Sequence, residues 1–353
     1  MSTFIFNKQQ MVANIDKLYK AFENRGLDFN IYYSVKTNNA KQVLETISQK
    51  CSYEIVSEYE WELVKPFKPK AVVLNGPSKS KDLIQDILDS GVKTLYFNAD
   101  NDTDFEILEP YKDKLGKEIK LGIRVYFNKE GVWNRFGFDI DSKKLKQYSS
   151  LYGKVLSGFH FHFSTNNFEL TNYETILSKI STLEEQQNLN LEYIDIGGGL
   201  PGANEYMYQT LIYEKLPELI TNSPVRSLTV FSEVGRYVVA NAFNLETQVV
   251  SVKQVDDHEY DIAIDTNILH FPCYWEKKFS IDYQSKDKSR EKAPTAVNIF
   301  GNSCMQVDKI APNYLIPVKP SVGDKVVIEN VGAYSLSQAS NFISKIPTVR
   351  EKV

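Results

Sequence analysis

Short apolar runs rich in β-branched and aromatic residues alternate with amphipathic stretches through the first two thirds of the chain. The runs are Asn30–Lys36, Ser52–Val56, Ala71–Asn75, Lys93–Phe97, Lys120–Tyr126, Val155–Phe163, Glu192–Ile196 and Ser227–Ser232. Between them, "KQVLETISQK", "KDLIQDILDS" and "YETILSKISTLEEQQN" set apolar residues three and four apart, the spacing of a helix with one buried face. A further amphipathic helix is predicted near Gln9–Asn24. Strict alternation of eight strands with helices predicts an α/β fold, a (β/α)8 TIM-type barrel over residues 9–236. An open doubly wound sheet is the structural alternative.

After Arg236 the pattern changes. "YVVANAFNLETQVVSVKQV", "EYDIAID", "TAVNIF" and "DKVVIEN" are strands joined by turns with little helix between them. They predict a C-terminal β domain over 237–353, joined by residues 1–8. The polar stretch "EKKFSIDYQSKDKSREKAP" (276–294) reads as a loop.

Composition narrows the partners. With 42% hydrophobic and 24% charged residues and a net charge of −4, the chain has the make-up of a globular protein. Nothing in that charge calls for nucleic acid or a membrane surface. The start, "MSTFIFNKQQM", lacks a signal-peptide pattern, and no apolar run is long enough to span a bilayer. Cys51, Cys273 and Cys304 are far apart and odd in number, which suits a reducing cytoplasm better than a disulfide framework.

The chemically unusual residues fall at strand ends, where a barrel carries its active site. Lys36 closes the first strand in "NIYYSVKTNNA", and His160 and His162 close the sixth in "GFHFHFSTNN". "DIGGGLPG" (195–202) closes the seventh, and "SEVGRYV" (232–238) follows the eighth. Taken singly, the glycines could form a turn, Arg236 a surface ion pair, His162 a core contact, and Lys36 a solvated end. Together they suggest a phosphate held by glycines, a helix dipole and an arginine, beside a lysine whose burial would make its amine nucleophilic toward an aldehyde. Pyridoxal 5′-phosphate fits that combination. An aldolase-type barrel using Lys36 is the rival, but it explains neither Glu233 nor the β domain. No metal is called for.

These motifs resemble the fold-type III pyridoxal-phosphate decarboxylases, the ornithine, diaminopimelate and carboxynorspermidine decarboxylase group, over nearly the whole chain. "YYSVKTN", "YEIVSEYE" with Glu54 and Glu60, "LGIRVYF" with Arg124, "RFG" (135–137), "HFST", "EVGR", "GNSCMQVD" and "GAY" carry the resemblance in order. It implies an alanine racemase-like barrel in which Lys36 binds the cofactor covalently, His162 stacks on its ring and Glu233 faces its ring nitrogen. Thr165, Gly198, Gly199, Gly235, Arg236 and Tyr334 would lie at the phosphate, with Arg124 and Glu54 also at the cofactor. It further implies a head-to-tail homodimer with shared sites, Cys304 reaching the partner's cofactor as a proton donor. The short start predicts a β domain without the N-terminal strand common in relatives.

Glu233 separates reaction types. A carboxylate at the ring nitrogen favours decarboxylation, whereas alanine racemases place an arginine there; a racemase and a non-catalytic cofactor-binding protein are the alternatives. For the substrate, Met305 stands where ornithine and diaminopimelate enzymes carry an acidic residue, and Phe271-Pro272 where diaminopimelate enzymes carry Arg-Pro. "DTNILHFPCYWE", with Asp265 and His270, partly resembles carboxynorspermidine decarboxylases. Met305, Asp308, Asp265 and His270 are the candidate substrate residues. The expected activity is decarboxylation of an α-amino acid or amino-acid conjugate, with an unusual distal group.

Overall fold

The computed structural model describes residues 1–132, 134–163, 169–256, 259–272 and 279–352. It divides into two compact units, Val12–Val238 and a second formed by Met1–Met11 with Val239–Val353.

In chain order the chain opens with β1 (Thr3–Phe6) and α1 (Lys8–Glu23) and then enters the larger unit. That unit runs β2 (Phe29–Ser34), α2 (Lys41–Ser48), β3 (Ser52–Ile55), α3 (Glu58–Val64), β4 (Ala71–Leu74), α4 (Lys81–Asp89), β5 (Thr94–Ala99) and α5 (Asp102–Leu108). It continues with β6 (Ile119–Tyr126), β7 (Phe138–Asp139), α6 (Lys143–Leu151), β8 (Leu156–His160), α7 (Leu170–Gln187), β9 (Tyr193–Asp195), α8 (Leu216–Thr221) and β10 (Thr229–Ser232). Among the described residues, β2, β3, β4, β5, β6, β8, β9 and β10 pair in parallel in that order. β10 pairs back onto β2, as in Val230 opposite Phe29, and closes the ring. The two-residue β7 extends β6 at its end. This is the predicted (β/α)8 barrel, with each predicted strand present and the ends shifted by a few residues.

Local chemistry starts several of the helices. Ser57, Ser80, Asn101 and Ser142 precede α3, α4, α5 and α6, and each side chain accepts a backbone N–H three residues on. These caps satisfy amides that the first helical turn leaves without partners. The barrel is filled by Tyr32, Val73, Tyr193 and Phe231. Tyr193 stacks on Phe231 with ring centroids 4.7 Å apart, and Tyr96 meets Phe231 edge-on at 4.8 Å. Gly158 in β8 makes room for this packing, because a Cβ there would lie 2.7 Å from the Tyr193 ring.

The second unit is a mixed sheet. After α9 (Arg236–Val239) come β11 (Phe243–Asp256), β12 (Glu259–Ile264), β13 (Ser280–Gln284), β14 (Thr295–Phe300), β15 (Lys309–Ile316), β16 (Lys325–Glu329) and β17 (Thr348–Glu351). β11 pairs antiparallel with β1, β12 and β16. Two sequence expectations are corrected here. The N-terminal strand is present: β1 pairs with both β11 and β17, and Phe6 stacks on Phe243 at 4.8 Å. The segment read as a loop over 276–294 contains β13, paired antiparallel with β16, with Ile281 and Tyr283 buried. Asp324, fully buried, then ties the following residues down. It accepts from Lys286 N at 2.9 Å and from Ser321 N at 3.0 Å, and it binds Tyr283 OH and Arg290.

Candidate active site

Lys36 lies in a single 3₁₀ turn, Val35–Thr37, directly after β2. Its Nζ donates to both oxygens of Glu54, at 2.9 and 2.7 Å. The Lys36 side chain is 41% exposed and that of Glu54 only 1%. The expectation of a lysine activated by burial is therefore corrected: a buried carboxylate, not an apolar pocket, meets this amine. Glu54 comes from β3, the strand paired next to β2, with Glu54 in register with Ser34. Its remaining acceptor capacity takes Ser34 Oγ at 2.7 Å and Asn75 Nδ2 at 3.2 Å.

Asn75 follows β4 and also donates to Glu233 Oε1, at 2.5 Å. Its own carbonyl accepts from Asn98 Nδ2 at 3.0 Å, and Asn98 accepts from Tyr193 OH at 3.0 Å. One hydrogen-bonded chain thus runs from the aromatic filling of the barrel to Glu233 and, through Glu54, to Lys36. Ser34 Oγ also lies 3.0 Å from the Glu233 backbone carbonyl, so its single proton is shared between that oxygen and Glu54.

Glu233 follows β10 and is almost fully buried. Its Oε2 sits 3.4 Å from His160 Nε2, and the ligand-type atoms of His160, Asp195 and Glu233 all lie within 4.8 Å of one another. Burial by itself would raise the Glu233 carboxyl; His160, Asp195 and Lys36 outweigh it and hold Glu233 below the usual carboxylate range. Asp195 goes the other way, pushed up by burial and by the Glu233 charge. Glu60, one turn into α3, is pushed up to about 7 by burial and by Glu54, against the opposing pull of Lys36 and the Val56 N–H.

His162 lies two residues beyond the end of β8. Gly198 N–H donates to its Nδ1 at 3.0 Å, so the ring proton sits on Nε2. Burial, helped by the Arg124 charge, lowers His162 to about 3 and keeps it neutral near pH 7. The Arg124 guanidinium lies 5.0 Å from the Phe136 ring centroid. Thr165 lies outside the described residues.

The glycine loops are close-fitted. Gly197 and Gly199 adopt φ of +67° and +79°, a conformation that favours glycine. A Cβ on Gly198 would meet the Glu233 carbonyl, and one on Gly235 would collide with Thr37 Oγ1. Arg236 is buried at the start of α9. The expected helix directly behind the glycines of the seventh loop is absent: the chain next turns helical at Tyr206–Tyr208, in a 3₁₀ turn.

In the β-rich unit, Cys304 is exposed and Met305 follows it in the segment before β15. Asp308 is buried, accepting from Ile268 N at 3.0 Å and Ser303 N at 2.9 Å. Gly301 leaves room for that carboxylate, which a Cβ would strike. His270 is buried between Thr266 Oγ1, 3.0 Å from its Nδ1, and Ser344 Oγ, 3.3 Å from its Nε2. Asp265 is partly exposed and lies 3.4 Å from the N-terminal amine. Tyr334 holds φ of +59°, a strained value for a residue with a Cβ.

The structure therefore gathers Lys36, Glu54, His162, Gly198, Gly199, Glu233, Gly235, Arg236 and Arg124 in the barrel unit. Cys304, Met305, Asp308, Asp265, His270 and Tyr334 belong to the other. Sequence reasoning missed Ser34, Asn75, Asn98 and Asp195 as site residues. The available signal was positional: each stands at or next to the C-terminal end of a barrel strand, as Lys36 does.

Comparison with known proteins identifies the family. Residues 9–240 match the family model described as "Pyridoxal-dependent decarboxylase, pyridoxal binding domain". A diaminopimelate decarboxylase of Helicobacter pylori is 24% identical, covering 94% of this chain and 87% of its own. A 2-[(L-alanin-3-ylcarbamoyl)methyl]-2-hydroxybutanedioate decarboxylase of Staphylococcus aureus is 25% identical, covering 87% and 83%. The arginine decarboxylase of Paramecium bursaria Chlorella virus superposes with a TM-score of 0.83 at 20% identity, covering 99% and 96%.

Proposed function

The chain belongs to the pyridoxal-dependent decarboxylases, and from that premise we propose how its residues serve the reaction and what it acts on. Pyridoxal phosphate, when bound, supplies the electron sink that lets an amino acid lose its carboxyl group as CO2. The residues fit that group: an amine stands at a strand end, beside a buried carboxylate and two glycines that a Cβ would block.

Lys36 would hold the cofactor through its aldehyde, and Glu54 positions the Lys36 amine for it. Glu233 would face the ring nitrogen and keep a proton there. His162, neutral and aimed by Gly198, would lay its flat face against the ring. Gly198, Gly199, Gly235, Arg236, Thr165 and Tyr334 would hold the phosphate, while Arg124 adds positive charge near Glu233 and His162. A carboxylate in the place of Glu233, rather than an arginine, favours decarboxylation over racemisation. The observation that carries the assignment is the Lys36–Glu54 contact at the end of the first barrel strand, tied to Glu233 through Asn75. Borohydride reduction followed by peptide mapping tests it. The reduced cofactor is expected on Lys36, and its recovery on another lysine overturns the assignment.

The substrate is an α-amino acid or amino-acid conjugate whose distal end carries neither a simple amine nor a second free amino-acid group. Two positions support this: Met305 brings no charge, and Phe271 is fully buried and packs edge-on against Phe279 at 6.0 Å. The conjugate named for the Staphylococcus aureus relative is of the same general kind. Trapping CO2 and amine from a panel of amino acids and conjugates tests it; efficient turnover of ornithine, lysine or meso-diaminopimelate refutes it.

The working enzyme is a cytoplasmic head-to-tail homodimer, the barrel over 9–236 and the β domain over 237–353 with 1–8 forming shared sites. Cys304, exposed and unpaired, supports this as the donor that returns a proton to Cα in the partner's site. Asp308 and His270 shape the segments around it, with Asp265 at the substrate. Mixing Lys36→Ala and Cys304→Ala chains should restore about a quarter of wild-type activity, since half the dimers then hold one intact site. No recovery from mixed, folded dimers refutes sharing.

A further inference from the structure

Asp195 has no part in the roles assigned above, yet it is completely buried at the end of β9, against the residue that faces the ring nitrogen. Its partners are few. Oδ1 accepts the Gly197 N–H at 2.9 Å, and Oδ2 lies 3.5 Å from Asn98 Nδ2. Glu233 is far better served, with Asn75 at 2.5 Å and His160 at 3.4 Å. The charged or titratable groups around Asp195 are Glu233, Glu54, His160, Tyr193, Tyr32 and Arg124. Of the cations nearby, Lys36 is already bound to Glu54. Two buried carboxylates this close do not both ionise, and the proton stays on the one with weaker support.

We propose that Asp195 is a positioning residue for the decarboxylation: a neutral carboxylic acid that donates its proton in a hydrogen bond to Glu233. Its consequence lies at the next contact. In a hydrogen bond between Glu233 and the ring nitrogen, the proton resides on the more basic partner. A donor behind Glu233 makes that carboxylate less basic and leaves the proton on the ring. Asn75 acts in the same sense on Oε1. The same proton accounts for the packing of two buried carboxylates, Asp195 and Glu233, beside His160. The inference rests on Glu233 facing the ring nitrogen, and its test separates the two claims.

Asparagine is the discriminating substitution. An amide is isosteric with a neutral carboxylic acid: its oxygen can keep the Gly197 N–H and its NH2 can still donate to Glu233. The holoenzyme is prepared with ring-15N pyridoxal phosphate, and the nitrogen chemical shift is read together with kcat. Asp195→Asn should keep the protonated-ring shift and stay within about threefold of wild-type kcat. Asp195→Val, which removes the donor, should move the shift toward the unprotonated value and lose about tenfold or more. The infrared carboxylic-acid band of the wild-type protein should vanish in Asp195→Asn. Absence of that difference band, or an asparagine variant as impaired as the valine one, overturns the proposal even where the valine variant does not fold. Glu233→Gln is the control. A wild-type nitrogen shift there removes the role given to Glu233, while the infrared band still judges Asp195 independently.

Discussion

Removing the Lys36 ammonium should destabilise the cofactor-free barrel, because it strands a carboxylate that is 1% exposed. The Lys36 side chain is 41% exposed, so its own desolvation is modest and the cost falls on Glu54. Breaking a fully buried pair costs about 3–5 kcal/mol. Here Ser34 Oγ and Asn75 Nδ2 remain on Glu54 after the lysine is gone, and solvent can reach the vacated space. Both effects reduce the figure, to about 2–3 kcal/mol for Lys36→Ala. Glu54→Gln costs less, about 1–2 kcal/mol, since Ser34 can reverse its hydrogen bond and only the Lys36 contact to the new NH2 is mismatched. In the double variant no charge is stranded and no donors collide, so the effects should fall short of additivity by about 1–2 kcal/mol. For a unit of this size, 2–3 kcal/mol corresponds to roughly 4–12 °C in Tm. Chemical denaturation and calorimetry of the four cofactor-free proteins measure all three quantities. Strict additivity, or a Lys36→Ala protein as stable as wild type, would refute the pairing as the reason the lysine sits where it does.

Three further outcomes follow from the geometry. Asn75 spends its NH2 on Glu54 and Glu233, so Glu233→Gln must turn its carbonyl toward Asn75 and its own NH2 toward the ring nitrogen. Decarboxylation should fall about 10- to 100-fold, the worth of one charge-assisted contact, with cofactor affinity changed far less; an unchanged single-turnover rate contradicts this. Gly235→Ala should lose cofactor affinity through the collision with Thr37, and Thr37→Gly in the same chain should recover part of it, as a fluorescence titration will read; no recovery places the damage elsewhere. His162 is lowered to about 3 while the unfolded chain titrates near the ordinary histidine value of about 6.5, so the unfolded state binds the extra proton between those pH values. Stability should therefore decline as pH falls from about 6.5 toward 3, and His162→Phe should flatten that part of the curve; identical slopes in urea unfolding would remove His162 as the cause.

What could be read from the sequence divides along a physical line. The barrel strands are legible because they are short, largely buried runs rich in apolar residues between amphipathic stretches, and their ends mark the rim. Lys36, Glu233 and the glycines were therefore placeable before any contact was known. β13 was not legible: its Phe279-x-Ile281-x-Tyr283 alternation is short and set among charges, and pairing with β16 supplies what the local pattern lacks. β1 was missed for a related reason, since a four-residue strand has little propensity of its own and depends on β11 and β17. The polar partners of the site are harder still. Asn75, Asn98 and Asp195 read as ordinary strand ends, and only closure of the ring brings strands distant in sequence together around one carboxylate. Pairing of neighbouring strands also reverses the expected logic at Lys36. A lysine after an apolar strand suggests an amine tuned by desolvation, but the next strand delivers Glu54 at the register of Ser34, and the lysine pairs with it. Its environment is a property of the pair of strands, and neither strand carries it alone.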